Sequence, residues 1–165
     1  MRISVPWLNK ILIRYDKSKT EKEFFNAVYE YFKQDFVDTM PQFNNKNVGL
    51  QINPLIDGKE YTFYHVTTEG EDEKNRTIDI QRCERIRWIR TIIESGFIGL
   101  KIWPKRIKSK NRIIIWFEEV DYVIVLESRK TYYSLITAYL VNQNHTRNKF
   151  RKEYKQFQKA KTALE

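Results

Sequence analysis

Three β-prone runs near the C-terminus constrain this chain most: "RIIIWFEE", "DYVIVLES" and "TYYSLITAYLV", each rich in β-branched and aromatic residues. The linkers between them are too short for a crossover, so neighbouring strands must pair antiparallel as a meander. Upstream, "TEKEFFNAVYEYFKQDF" repeats Phe24, Phe25, Val28, Tyr31, Phe32 and Phe36 at helical spacing, with Ser18 and Thr20 as N-caps. "VGLQI" and "EYTFYHVTT" read as two further short strands, separated by the turn-forming "NPLIDG". Asp79 opens a second helix, "IQRCERIRWIRTIIES", which Gly96 ends; "KIWPKRIKSKNR" follows as a basic connection, and the tail reads as a basic helix. Helices packed on an antiparallel sheet of four or more strands make the α+β class. With 165 residues and no composition break, one domain spanning residues 1–165 is expected.

Hydrophobic residues are 41% of the chain and aromatics 15%, enough for a packed core despite 31% charged residues. The formal net charge of +9 favours polyanionic partners, nucleic acid first. No apolar run approaches the roughly 20 residues of a membrane span, and the N-terminal stretch is broken by Asn9, Lys10 and Arg14, so a cytoplasmic protein without a leader is the expectation. A single cysteine, Cys83, rules out internal disulfides. Two histidines, His65 and His145, make no zinc signature, and phosphate-binding glycine loops are absent. No metal and no cofactor are expected.

Basic residues fall into three clusters. Arg82, Arg85 and Arg87 lie on the second helix, Arg106 and Lys108 in the basic connection, and Arg147 and Arg151 on the terminal helix. A single cluster reads as a solvated helix face. Three in one small domain read as a surface for the phosphate backbone.

His65 stands within a run that strand alternation places on one face with Thr67. It is either a satisfied strand histidine or an acid/base. Its company favours the second: Glu127 and Arg129 follow "VIVL", and Thr137 and Tyr139 share a face of "LITAYLV". An imidazole, a guanidinium and hydroxyls suffice to cleave RNA, because the ribose 2′-hydroxyl supplies the nucleophile.

An early helix, "YHVT", "VIVLESR" and a strand ending "LITAY" resemble the BECR-fold nucleases (the barnase, EndoU, colicin and RelE superfamily), in their phage-associated form. The similarity runs over residues 61–154. It implies a ribonuclease needing no metal, often a toxin or phage defence effector held by an inhibitor, antitoxin or immunity protein. It also implies that His65 is the catalytic histidine, Arg129 the phosphate-binding arginine, and Thr137 and Tyr139 the hydroxyls of the last strand, with Thr67 a looser match. Glu127, Tyr139 and His145 compete as the second proton-transfer group. The rival expectations are a nucleic-acid-binding regulator without catalysis, of phage or mobile-element origin, and a module whose basic face meets an acidic protein.

Overall fold

The computed structural model describes residues 5–96 and 98–164. The expectation about a leader falls partly on residues 1–4, outside the described residues. The helices are α1 (Pro6–Asn9), α2 (Glu21–Phe36), α3 (Tyr61–Thr67), α4 (Ile80–Glu84), α5 (Trp88–Glu94) and α6 (Asn144–Ala163). The strands are β1 (Gln42–Phe43), β2 (Lys46–Gly49), β3 (Thr68–Glu69), β4 (Thr77–Ile78), β5 (Lys101–Ile107), β6 (Lys110–Phe117), β7 (Tyr122–Ser128) and β8 (Tyr133–Leu140). The chain is α+β, and none of its described helices is long and apolar enough to cross a membrane.

Strands β6 to β8 form the expected antiparallel meander, and β5, antiparallel to β6, extends it by one strand. The full sheet is larger, a curled six-stranded sheet in the order β1-β2-β8-β7-β6-β5. It is also mixed rather than antiparallel: β2 runs parallel to β8, with Val48 opposite Tyr133 and Gly49 opposite Ser134. The basic connection is itself strand β5, turning at Lys108 and Ser109, both with positive φ. Pro104 is tolerated there because β5 is the sheet's edge, where a missing N–H costs no ladder bond.

Thr20 caps α2 in a full capping box with Glu23, and Asp79 caps α4 by accepting from the Arg82 N–H at 3.2 Å. The long second helix is broken, however. Arg85 leaves helical geometry, and α4 and α5 are separate short helices.

Residues of the meander alternate between two cores. Ile115, Ile124, Leu126, Leu135 and Ala138 face α2 and α5. Trp103, Ile114, Trp116, Val123 and Val125 face α6, whose Phe150 ring lies 5.5 Å from both tryptophan rings. A bulge between Val125 and Leu126 puts one extra residue into β8 and so re-aims its C-terminal half.

The largest departure from expectation is "YTFYHVT", which is helix α3 and not a strand. Phe63 and Val66, three apart, are buried against the α2 side, and Tyr61 and His65, four apart, meet edge to face at 4.7 Å on the other flank. His65 and Thr67 therefore do not share a face; two residues apart on a helix they point roughly 200° away from each other.

Candidate active site

Helix α3 is anchored at both ends. At its start the Thr62 N–H donates to the Gln51 carbonyl at 3.1 Å, and the Thr62 hydroxyl accepts from the Gln51 N–H at 2.8 Å. At its end the open carbonyls are taken by arginines. Arg82 Nη1 donates to His65 O at 3.2 Å and Thr68 O at 2.8 Å; Arg76 Nη2 reaches Thr68 O at 2.6 Å. The backbone carrying His65 is thus clamped from two elements.

The imidazole projects toward the exposed segment 71–75, between β3 and β4. Nε2 of His65 lies 2.9 Å from Oε2 of Glu73, and the Tyr61 hydroxyl donates to the same oxygen at 2.6 Å. The Tyr61 bond holds the Glu73 carboxyl below its ordinary pKa, and the hydrogen bond with His65 adds to this. Burial pushes the Tyr61 phenol up to about 12, so it stays a donor. Burial and the nearby Arg76 charge push His65 down from the ordinary imidazole value, against the opposing pull of Glu73. A neutral ring donating from Nε2 carries its lone pair on Nδ1.

His65 and Glu73 line a cavity of about 490 Å³ together with Lys110, Arg112, Glu127 and Arg129. The sheet positions these. Lys105 opposes Arg112, Arg112 opposes Glu127, and Glu127 opposes Ser134, so four strands put one row of side chains on one face. Glu127 is buried at 4% exposure and splits its carboxylate between two cations: Oε1 lies 2.8 Å from Arg129 Nη2, and Oε2 lies 3.3 Å from Arg112 Nη2. Arg112 Nη1 is buried with no hydrogen-bond partner among the described residues. Three cations thus face two carboxylates and a neutral imidazole, an arrangement suited to an anionic group.

Thr137 opposes Val125 and Tyr139 opposes Val123, so both share the sheet face of Glu127, one and two rows further along. Rows on one face are about 7 Å apart. Burial raises the pKa of the Tyr139 phenol, and Arg82 stacks over its ring at 5.3 Å. The same arginine that holds the His65 carbonyl therefore touches Tyr139.

Other expected site residues lie elsewhere. The Thr67 hydroxyl donates to Phe63 O at 2.6 Å within its own helix and is fully buried. His145 is exposed in the first turn of α6, beyond the opposite end of β8. Among the expected nucleic-acid contacts, Arg82 is an internal clamp. Arg85 lies 5.0 Å over Trp88, Arg87 pairs with Asp35 at 3.3 Å, Arg147 with Asp121 at 2.9 Å, and Arg151 with Glu118 at 2.6 Å. Arg106 and Lys108 stand exposed on the β5–β6 hairpin, leading to Lys110 at the cavity.

Four residues of the cavity were not read as parts of an active site in the sequence: Tyr61 lies in the run read as a strand, Lys110 and Arg112 in the basic connection, and Glu73 in the acidic loop. Glu73 sits in "EGEDEKNR", whose charge reads as simple solvation; the signal was only its distance of eight residues from His65. Among the described residues no three His, Cys, Asp or Glu side chains gather closely enough to hold a metal ion. No protein-family model, curated protein or solved structure matches the chain.

Proposed function

We propose that the chain is an endoribonuclease that cleaves RNA by transphosphorylation, with protein side chains rather than a metal ion moving the proton. One observation carries the proposal. A carboxylate-held, neutral histidine and three cations line a single open cavity.

In this reading the scissile phosphate sits against Arg129, Arg112 and Lys110. Nδ1 of His65 takes the proton of the ribose 2′-hydroxyl, and the 2′-oxygen attacks phosphorus. The bond from phosphorus to the 5′-oxygen breaks as that oxygen takes a proton from water, leaving a 2′,3′-cyclic phosphate and a 5′-hydroxyl, and the hydroxide so formed is neutralised by the proton that His65 releases. Glu73 fixes the ring and stabilises the imidazolium formed in the step. The guanidiniums hold the charge that grows on the phosphorane, in a site where water is partly excluded. Thr137 and Tyr139 offer hydroxyls along the same face. The setting of a toxin or phage defence effector, with an inhibitor protein, is proposed from the BECR resemblance.

The alternative of a non-catalytic nucleic-acid-binding protein draws on the exposed Arg106 and Lys108 of the β5–β6 hairpin. It needs those residues but not His65.

The test is cleavage of a mixed-sequence RNA panel in EDTA by the wild type and His65→Ala, with product ends identified. A second substrate carries a 2′-deoxyribose at the cut position. Cyclic phosphate ends from the wild type, with both changes abolishing them, support the proposal. Equal RNA binding by both proteins with no cleavage anywhere transfers it to the binding reading.

A further inference from the structure

Next to the candidate active site lies a second cavity of similar size, about 490 Å³, between the end of α2 and the end of β2. It is lined by Val37, Met40, Leu50, Ile52 and Tyr132, with Asn47 at its polar edge. Eight large hydrophobic side chains are exposed among the described residues, and Val37, Met40, Ile52 and Tyr132 supply half of them. Such a concentration of exposed apolar surface marks a binding site, since scattered single residues are the ordinary case.

Two cavities meet here. Leu50 and Tyr132 line both. The Arg129 N–H donates to the Tyr132 carbonyl at 2.9 Å across the tip of the β7–β8 hairpin, so an arginine of the cationic cavity and the tyrosine of the apolar one are fixed to each other. The Tyr132 ring lies about 3.6 Å from where a Cβ on Gly49 would stand, while 43% of the residue stays exposed.

We infer that this groove is a subsite for one unpaired nucleobase, stacked on Tyr132 beside the phosphate held by Arg129. The inference rests on the ribonuclease reading and extends it to substrate form: RNA must present a single-stranded base at the cut. A nucleotide is an apolar aromatic plate joined directly to an anion. An apolar groove that shares its wall with a cationic cavity has the same two-part character. Stacking on an aromatic ring is tolerant of base identity, so the subsite selects unpaired bases as a class. The Asn47 amide and the Glu60 carboxylate, which also line the groove, give hydrogen-bonding groups for a base edge.

The test uses a fluorescent single-stranded oligonucleotide with 2′-O-methyl riboses, which cannot undergo the cleavage, and a copy with abasic sugars. Binding to wild type, Tyr132→Phe and Tyr132→Ala is measured by anisotropy, with thermal melts confirming that each variant is folded. Tyr132→Ala is expected to bind the intact strand about tenfold more weakly, with Tyr132→Phe near wild type. Removing the bases should weaken the wild type by a larger factor than it weakens Tyr132→Ala, because the two changes delete one shared contact. Unchanged affinity in Tyr132→Ala, or losses that simply multiply, overturns the inference, including the case in which the groove turns out to dock a protein. Cleavage of the matching ribose strand is scored separately. Coupling between Tyr132 and the bases without cleavage keeps the subsite and discards the ribonuclease reading, whereas cleavage without coupling does the reverse.

Discussion

Nε2 of His65 sits 2.9 Å from Oε2 of Glu73, and this contact decides which ring nitrogen can act as a base. Glu73→Gln removes the acceptor charge, so the Nε2–H form loses its preference. The contact with Glu73 also pulls the His65 pKa upward against burial, so its loss lowers that pKa further. With only two histidines in the chain, ¹⁵N imidazole spectra resolve His65 directly. The expected result is a shift from the Nε2–H tautomer toward a mixture, a lower His65 pKa and cleavage reduced by about 10- to 100-fold. Glu73→Asp should recover part of both. An unchanged tautomer in Glu73→Gln contradicts the positioning role.

The pH dependence of cleavage follows from the same ring. As a base, His65 must be unprotonated, so kcat/KM should rise with pH and level off above the His65 pKa. Burial lowers that pKa from 6.5, which moves the rise to below about 6.5. The linkage to stability has the same sign. Between the folded and the unfolded pKa the unfolded chain binds more protons, so this contribution is complete above about 6.5 and is lost as the pH falls through the folded value. A rate that falls as pH rises through 6 contradicts the assignment of a base and favours His65 as an acid.

How much of this was legible in the sequence can be told from three residues. Glu127 and Arg129 were read only as neighbours following "VIVL", and their contact at 2.8 Å follows from strand alternation, which puts residues two apart on one face. The meander and the Thr20 cap were legible because both are local. His65 was placed on the wrong element. Its neighbours Tyr61, Thr62, Tyr64 and Val66 favour strands, yet Phe63 and Val66 can reach the core only at helical spacing, and the core prevailed. Glu73 could not be found at all. It reaches His65 through the return of the β3–β4 hairpin, and nothing in an acidic loop marks which carboxylate contacts the histidine.

Glu127 holds two arginines that otherwise lie side by side, and its removal should cost folding stability. Arg112 has 18% of its side chain exposed and Arg129 45%, so the two pairs are unequal. Glu127→Ala leaves the Arg112 charge buried and uncompensated, with an expected loss of about 3 kcal/mol. Arg129→Ala breaks a pair that water screens, and about 1 kcal/mol or less is expected. Urea unfolding of both variants checks the order. If Arg129→Ala proves the more destabilising, Arg129 is a structural brace and its phosphate role loses support.

Arg82 and the hairpin pair Arg106 and Lys108 should separate architecture from RNA attraction. Arg82 spends its charge on Asp79 at 3.3 Å, on the carbonyls of His65 and Thr68 and on the Tyr139 ring, with 16% of the side chain exposed. Arg82→Lys keeps the charge but cannot hold both carbonyls while stacking on the ring. It should lower the melting temperature by several degrees and slow cleavage, with the salt dependence of RNA binding unchanged. Among the described residues Arg106 and Lys108 form no ion pair, and both stand in solvent. Arg106→Gln with Lys108→Gln should leave the melting temperature alone and flatten the plot of log affinity against log salt by up to about two phosphate contacts. Equal flattening by Arg82→Lys would mean that the clamp opens to meet RNA, and the division between frame and contact surface would have to be redrawn.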